Sequence, residues 1–439
     1  MIMATAMLDI KPVEIKAFKL ENGLRVFVVE DHSSPVATLQ VWYRVGSRNE
    51  SYGITGISHL LEHMMFRPSK GIKGDYSQII DRMGGSDNAF TTRDATAYYA
   101  IIPSNRVEEV IQMEADRMRN LTFEGFDEER EVVKEERRWR TENMPEGIVY
   151  EMLYTTSFIA HPYRHPVIGW MSDLNGITLE DVKRYYNTFY APNNAALIVV
   201  GDVNAEEIYE WAKEYFGKHS PASEIPDVKT REPEQRGIRR SYVKKEGFSK
   251  ILAISWHIPE GKSDDIYALN VLANYLNSKT SKLYKDLIEG GKASSYSVWV
   301  DEGIDPSIIT FWVNLQPNAD FSEVERIILE NVKEIREKGV DEGFLNRVKK
   351  SAIVDYVEQG ESVMRLAMAM GWSWIIHGDP NKINEFPKKV SEVKNEDIKR
   401  VAKAYLKDEA YNFVALEPIP PKDPQKFFEA LKKAQEIKR

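Results

Sequence analysis

Cysteine is absent from the 439-residue sequence. This absence excludes disulfide bonds, cysteine nucleophiles and thiolate ligands for a metal ion. A metal site in this chain would therefore consist of His, Asp or Glu side chains. The absence does not identify a compartment, because cytoplasmic and secreted chains can both lack cysteine.

Long apolar runs are also absent. No run approaches the roughly 18 residues that a membrane-spanning helix needs. The first residues, MIMATAMLDIKPVE, have neither the basic start nor the apolar stretch of a signal peptide. We therefore expect no membrane span and a cytoplasmic location, or a periplasmic one if a signal peptide has been removed.

An excess of positive charge is missing as well. The sequence has 59 Lys and Arg against 68 Asp and Glu, which gives a formal net charge of -9. This balance argues against nucleic acid as the main partner, because binding to phosphates needs a clear excess of basic groups. The 42% of hydrophobic residues is typical of a folded globular chain.

The sequence contains a long internal repeat. Strand-like and helix-like stretches follow the same order in both halves, and TLEDVKRYYNTFYAPNNAALIVV (178–200) aligns without a gap on residues 394–416. We therefore predict an α+β fold of two homologous domains. The predicted domains are an N-terminal domain at 1–219, a linker without periodicity at 220–238 and a C-terminal domain at 239–439.

The stretch HLLEH brings three ionisable groups together in an apolar segment. On a helix, His59 and His63 are four residues apart and share one face with Glu62. Two imidazoles in this arrangement can reach one zinc ion, since Zn–N bonds are about 2.0–2.1 Å long. The other face is apolar and would anchor the helix through Ile57, Leu60, Leu61 and Met64.

The order H-x-x-E-H is the inverzincin signature, in which the glutamate takes a proton from a metal-bound water. The alternative interpretation is a pair of core histidines with a partner carboxylate. A catalytic zinc needs a third protein ligand. The spacing alone leaves open whether it comes from His161 and His165 in HPYRHP, or from the acidic segment 126–140, where Glu129 and Glu136 lie two helical turns apart.

Five stretches together resemble the pitrilysin/insulinase family of zinc peptidases, in its short, processing-peptidase-like bacterial or archaeal form. They are TGISHLLEHMMF (55–66), GGSDNAFTTRDATAYY (84–99), FDEEREVVKEE (126–136), HPYRHPVIG (161–169) and APNNAALIVVGDV (191–203). The resemblance covers nearly the whole chain.

The resemblance implies roles for individual residues. Glu136 becomes the third ligand of one Zn²⁺ per chain, and Glu62 becomes the general base. Glu129 becomes an acid that orients a ligand without binding the ion itself. It also implies that an edge strand beside the zinc binds an extended peptide by strand addition. The residues of that strand are Asn88, Ala89, Phe90 and Thr91.

The second half of the sequence has no HLLEH stretch. In the resembling family, a domain of this type supplies an Arg and a Tyr that bind substrate and stabilise the oxyanion. Here Ile288 stands at the arginine position, and Tyr296 is the candidate tyrosine, shifted by one residue. We therefore expect a homologous partner subunit that carries the Arg/Tyr pair, in a heterodimer, or else a homodimer.

The sequence thus predicts a zinc endopeptidase, or its catalytic subunit, that hydrolyses peptides or unfolded polypeptide segments. The alternative is a non-catalytic structural or scaffolding subunit of the same family. A metal-storage module fits less well, because one three-ligand site beside a base suits hydrolysis better than storage.

Overall fold

The computed structural model describes residues 10–423 and 425. Within this part of the chain, eleven strands form two sheets. In chain order the strands are β1 (Lys16–Lys19), β2 (Arg25–Glu30), β3 (Val36–Tyr43), β4 (Ser86–Thr91), β5 (Thr96–Pro103), β6 (Ala195–Gly201), β7 (Arg239–Glu246), β8 (Ile251–Ile258), β9 (Ala293–Val300), β10 (Ser307–Leu315) and β11 (Asn412–Ile419).

The described part of the chain also contains fifteen α-helices. They are α1 (Ile57–Met64), α2 (Tyr76–Arg82), α3 (Val107–Arg119), α4 (Phe126–Arg137), α5 (Pro145–Ser157), α6 (Met171–Gly176), α7 (Leu179–Phe189), α8 (Ala205–Phe216), α9 (Asp265–Asn277), α10 (Lys282–Tyr284), α11 (Phe321–Lys338), α12 (Glu342–Gly360), α13 (Val363–His377), α14 (Phe386–Glu392) and α15 (Asn395–Tyr405). No described helix is long and apolar enough to cross a membrane.

The first sheet has the order β1-β2-β6-β3-β5-β4. Strands β2 and β6 are parallel, and the other pairs are antiparallel. Strand β6 is buried along its whole length, as expected from its uninterrupted apolar sequence AALIVVG. Strand β4 lies at one edge, so its outer backbone groups have no neighbouring strand among the described residues.

The second sheet repeats the topology of the first. Its order is β7-β11-β8-β10-β9, which matches β2-β6-β3-β5-β4 strand for strand. The first pair, β7 with β11, is again parallel, and the rest are antiparallel. Helix α9 follows β8 as α1 follows β3, so the predicted duplication and the predicted α+β class are confirmed.

The chain forms two compact units, and each unit includes one segment from the other half of the sequence. Among the described residues, the first unit contains 10–134 with His165–Thr230 and Ile353–Lys388, and the second contains Glu135–Arg164, Arg231–Ala352 and those from Lys389 to 423 with 425. The predicted domains, 1–219 and 239–439, differ from these units by the two exchanged segments.

The exchanged segments each contribute a helix that packs on a sheet. In the first unit, α13 lies against β3 and β6. Gly371 permits this contact, because a Cβ there would lie 2.1 Å from the Trp42 ring. In the second unit, α5 packs on β7, β8 and β11, where Ser157 Oγ lies 2.9 Å from Ser255 Oγ. The two helices hold equivalent places in the repeat.

The predicted linker 220–238 contains no helix and no strand. It is nevertheless held in place, because the Glu232 carboxylate accepts the backbone N–H groups of Ile159, Ala160 and His161 at 2.9–3.1 Å. The stretch therefore lacks regular secondary structure but is fixed by hydrogen bonds to residues 159–161. The expectation about a signal peptide concerns the first residues, of which 1–9 lie outside the described part.

Candidate metal centre

Helix α1 carries the HLLEH stretch and is anchored as its sequence predicts. The side chains of Ile57, Leu60, Leu61 and Met64 are completely buried in the core of the first unit. The opposite face presents His59, Glu62 and His63, of which His63 is the most exposed, with 23% of its side chain accessible. The apolar face thus fixes the orientation of the polar one.

A buried ion pair supports the end of α1. Arg117 and Glu114 are both fully buried, and Nε of Arg117 donates to Glu114 at 2.8 Å. The guanidinium also lies 4.0 Å from the centre of the Tyr76 ring and donates to the carbonyl of Met65 at 3.5 Å. Such a pair is stable only if its remaining polar groups have partners, which this network supplies.

Three side chains converge beside the exposed face of α1. Within the described residues, one group of His, Asp and Glu side chains has ligand atoms close enough to hold a metal ion, namely His59, His63 and Glu136. Their ligand atoms all lie within 4.8 Å of one another. Two imidazoles and one carboxylate are a donor set that zinc accepts, with a fourth position left open. His59, His63 and Glu136 therefore fit the zinc ion that the HLLEH stretch indicates.

Glu129 lies behind His63. One of its oxygens is 3.1 Å from Nδ1 of His63, and Arg67 donates to the other oxygen. Burial raises the pKa of Glu129, but the hydrogen bonds from His63 and Arg67 outweigh it, so the pKa lies below its usual value. The carboxylate therefore stays ionised and holds the orientation of the imidazole.

Glu136 is on α4, two turns after Glu129, as the spacing predicts. Its carboxylate accepts from Nη1 of Arg140 at 2.6 Å, one turn further along the chain. The arginine side chain is 63% exposed, whereas that of Glu136 is 16% exposed. The ion pair with Arg140 therefore helps to keep the carboxylate of Glu136 oriented toward the two imidazoles.

Glu62 contacts the edge strand β4. The hydroxyl of Thr91 donates to Oε2 of Glu62 at 2.5 Å. The family resemblance implies that Thr91 belongs to a peptide-binding strand, but no pattern in the sequence indicates that this side chain contacts the glutamate. Successive side chains alternate across a strand, so Ala89 points to the same face, where it packs on the core.

Two further residues of the predicted peptide-binding strand, Asn88 and Phe90, lie on the opposite face of β4. Phe90 packs edge-on against Trp42 and parallel to Trp372, with ring centroids 5.4 Å and 5.9 Å apart. Asn88 is exposed. The structure thus gives the predicted strand its edge position, while its role in peptide binding stays a prediction.

The histidines of HPYRHP do not join the group of possible ligands. His161 is buried in the second unit, where its Nε2 lies 3.1 Å from Asp305. His165 is buried in the first unit against the ring of Tyr52. Of the two sources of a third ligand that spacing left open, the acidic segment is the one that reaches the imidazoles.

Tyr296 and Ile288 lie in the second unit. Tyr296 is on the edge strand β9, and its hydroxyl donates to the carbonyl of Leu276 at 2.5 Å. Ile288 is half-buried in a π-helical turn, Lys285–Glu289. The hydroxyl that was expected to stabilise an oxyanion is therefore engaged within its own unit.

Comparison with known proteins identifies the class. Residues 25–169 match the family described as Insulinase (Peptidase family M16), and residues 176–352 match the family described as Peptidase M16 inactive domain. The zinc protease PqqE of Helicobacter pylori is 32% identical over 408 residues, which cover 91% of this chain and 92% of that protein. The chain belongs to the M16 family of insulinase- and pitrilysin-like peptidases.

Particular relatives extend this match. An uncharacterized zinc protease of Bacillus subtilis, YmxG, is 25% identical over 92% of this chain and 98% of its own length. The crystal structure of a protease from Helicobacter pylori superposes with a TM-score of 0.89 at 30% identity, covering 93% of this chain and all of that one. A peptidase M16 inactive domain from Pseudomonas fluorescens has a TM-score of 0.82 at 16% identity, covering 94% and 99% of the two chains, and supports the fold alone.

Proposed function

We propose that this chain is a zinc-dependent endopeptidase, or its catalytic subunit, that hydrolyses peptides or unfolded polypeptide segments. The observation that carries the proposal is the convergence of His59, His63 and Glu136 beside Glu62. Bound zinc would supply a Lewis acid that polarises a carbonyl group and makes water a better nucleophile at neutral pH. The name zinc protease, given to relatives that match nearly the whole chain, supports the same reading.

In this proposal, two carboxylates orient the ligands. Glu129 would accept the Nδ1–H of His63 and so fix the tautomer in which Nε2 can bind the ion. Arg67 holds the far side of Glu129, and Arg140 does the same for Glu136. The ligand geometry is thus set before the ion arrives, which lowers the entropy cost of binding it.

Glu62 would act as the general base and then as the general acid. Thr91 donates to one oxygen of this carboxylate, which would accept a proton from the attacking water. The protonated Glu62 would then give the proton to the leaving amine. The hydrogen bond from Thr91 also stabilises the ionised form of Glu62, which is the form that can accept the proton.

The substrate would bind along β4. An extended peptide can pair with the outer backbone groups of this edge strand, and backbone pairing tolerates many side chains. Asn88, Ala89, Phe90 and Thr91 would provide the pairing groups. A peptide bound in this way would lie beside Glu62, because Thr91 belongs to the strand and its hydroxyl donates to the base.

We also propose that full activity needs a homologous subunit with the Arg/Tyr pair. Ile288 cannot supply a guanidinium, and the hydroxyl of Tyr296 is bonded to Leu276. The second homologous half, which matches a family described as inactive, fits a non-catalytic role. We keep the cytoplasm as the proposed location, to be checked by fractionation of the cells that make the protein.

Metal analysis and peptide cleavage test the proposal together. Wild-type protein should contain about one zinc per chain and cleave a fluorescence-quenched unfolded peptide. Glu62→Gln should keep the zinc and lose cleavage, whereas His59→Ala should lose both. His32→Ala is the matched control, because His32 is exposed and pairs with Asp202 away from α1.

The scaffolding alternative makes a different prediction. A non-catalytic subunit would show no cleavage in wild type, alone or with a partner, and Glu62→Gln would change nothing. Wild-type protein that binds zinc but gives the same rate as Glu62→Gln would therefore overturn the enzyme proposal.

A further inference from the structure

A five-residue segment, 46–50, lies in the chain between β3 and α1 and contacts the residues that follow the edge strand β4. The backbone N–H of Ser47 donates to the carbonyl of Thr92 at 3.1 Å, and that of Arg48 donates to the carbonyl of Arg93 at 3.0 Å. The segment is therefore paired with the residues that directly follow β4. Its last residue, Glu50, points away from this pairing toward the helix.

Glu50 binds the first backbone amides of α1. Oε2 accepts the N–H of Gly56 at 2.7 Å, and Oε1 accepts the N–H of Ser58 at 2.9 Å. These N–H groups belong to the start of the helix, which has no carbonyl partners within the helix itself. Glu50 is 5% exposed, so the carboxylate replaces water at this end. Burial raises the pKa of Glu50 to about 8, and it outweighs the two N–H bonds and the helix dipole, which favour the ionised form.

The start of α1 has a second anchor. The hydroxyl of Tyr185 lies 2.8 Å from the hydroxyl of Ser58, and both side chains are buried. Ser58 thus takes part in two bonds, through its backbone to Glu50 and through its side chain to Tyr185. The residue that follows it is His59.

We propose that Glu50 is a positioning residue of the metal centre. It fixes the start of α1 relative to the end of β4, and so sets His59, Glu62 and His63 against the strand that carries Thr91. This inference rests on the proposed function, because it assigns Glu50 a role in the same site. Glu50 would act on the proposed ligands indirectly, through the backbone at the start of α1.

The test uses Glu50→Gln in the full-length protein. Glutamine has nearly the same shape but only one acceptor oxygen, so its NH2 group faces one of the two backbone N–H groups. The zinc dissociation constant, measured by competition with a chelator, should rise about 10- to 100-fold, as for residues that orient metal ligands. The value of kcat should fall more than KM rises, because α1 carries the base whereas β4 carries the peptide.

Glu325→Gln is the matched control. Glu325 is also a buried carboxylate, 8% exposed, and it pairs with Arg240 and Tyr411 in the second unit. Its variant should lose stability in denaturation while its zinc dissociation constant stays within twofold of wild type. A purely structural role for Glu50 would give the same pattern as this control, and that result would overturn the proposal.

Tyr185→Phe provides a milder second variant if Glu50→Gln does not fold. It keeps the buried ring and removes only the hydroxyl that bonds Ser58. Its zinc dissociation constant should rise at least threefold, and an unchanged constant would contradict the inference. Wild-type protein that binds no zinc would instead overturn the proposed function, so the two failures are distinguishable.

Discussion

Gly56 and Gly169 meet backbone to backbone at the start of α1. A Cβ on Gly169 would lie 2.6 Å from the Cα of Gly56 and 2.3 Å from the carbonyl oxygen of Thr55. Both glycines have positive φ angles, of 90° and 84°. The HPVIG stretch can therefore lie directly against the start of the HLLEH helix only because both contacting residues are glycines.

Gly169→Ala should destabilise the protein by more than about 1 kcal/mol, because the backbone would have to move and the φ angle suits only glycine. The midpoint of urea unfolding measures the effect. Gly176→Ala is the control, because a Cβ there meets nothing within 4 Å, and it should be neutral or slightly stabilising. Equal midpoints for the two variants would contradict the close packing.

Glu129→Gln should weaken zinc binding about 10- to 100-fold while the isolated protein remains folded. The reason is that glutamine supplies one neutral acceptor in place of the carboxylate shared by His63 and Arg67. Chelator competition gives the affinity. Glu131→Gln, on the 56%-exposed neighbour in the same helix, should leave the affinity unchanged. Loss of affinity in both variants would point to a general effect on α4 instead.

Thr91→Val should lower kcat about 10- to 100-fold. The change removes a hydrogen bond to an ionised carboxylate, which contributes about 1.5–3 kcal/mol, while the size of the side chain is kept. Steady-state cleavage of a quenched peptide is the measurement. Thr91→Ser restores the hydroxyl and should recover most of the rate. A Ser variant as slow as the Val variant would rule out the hydroxyl as the cause.

Ile288→Arg should raise the cleavage rate of the isolated chain by about tenfold or more, since one oxyanion donor can contribute about 10²–10³ in kcat. The comparison is with wild type measured alone. Lys285→Arg, an exposed change in the same π-helical turn, should have no effect. Full activity of the isolated wild-type chain, unchanged by Ile288→Arg, would remove the need for a partner subunit.

Glu232→Gln should reveal a pH-dependent contribution to stability. Burial raises the pKa of Glu232, but the N–H bonds from His161, Ile159 and Ala160 outweigh it and hold the pKa below its usual value. The unfolded chain therefore binds the proton more readily, and the stabilisation is present above the unfolded pKa of about 4.3 and lost as the pH falls through the folded value.

At pH 7 we expect this variant to unfold about 1–3 kcal/mol more easily than wild type, and the difference should shrink below about pH 4. Urea unfolding at both pH values measures it. The exposed neighbour Glu234 provides the control, since Glu234→Gln should show no difference at either pH. If the unfolding free energies of wild type and Glu232→Gln differ by the same amount at both pH values, the lowered pKa of Glu232 does not contribute to stability.

The sequence predicts those features that local patterns encode. The alternation and apolar runs predict strands such as β5 at its observed bounds, Thr96–Pro103, and the HLLEH spacing predicts the polar face of α1. Glu129 and Glu136 follow from helical spacing as a pair. Choosing Glu136 as the proposed third ligand required the family resemblance, because both glutamates fit the spacing.

Features that depend on distant contacts are not visible in the sequence. Glu50 lies in a loop without periodicity, and nothing in GSRNE shows that its carboxylate will meet amides six and eight residues later. Likewise, the contact between Thr91 and Glu62 depends on which edge of the sheet faces α1. Such relationships arise from tertiary packing, which a window of neighbouring residues does not contain.

The exchange of helices between the halves has a consequence for synthesis on the ribosome. Nε2 of Gln40 on β3 donates to the carbonyl of Met364 on α13, a contact that spans 324 residues. At about 5–20 residues per second, the first sheet would wait roughly 15–65 s for the helix that covers it. The nascent amino-terminal half therefore exposes an unfinished apolar surface during translation, which is the kind of surface that a chaperone binds.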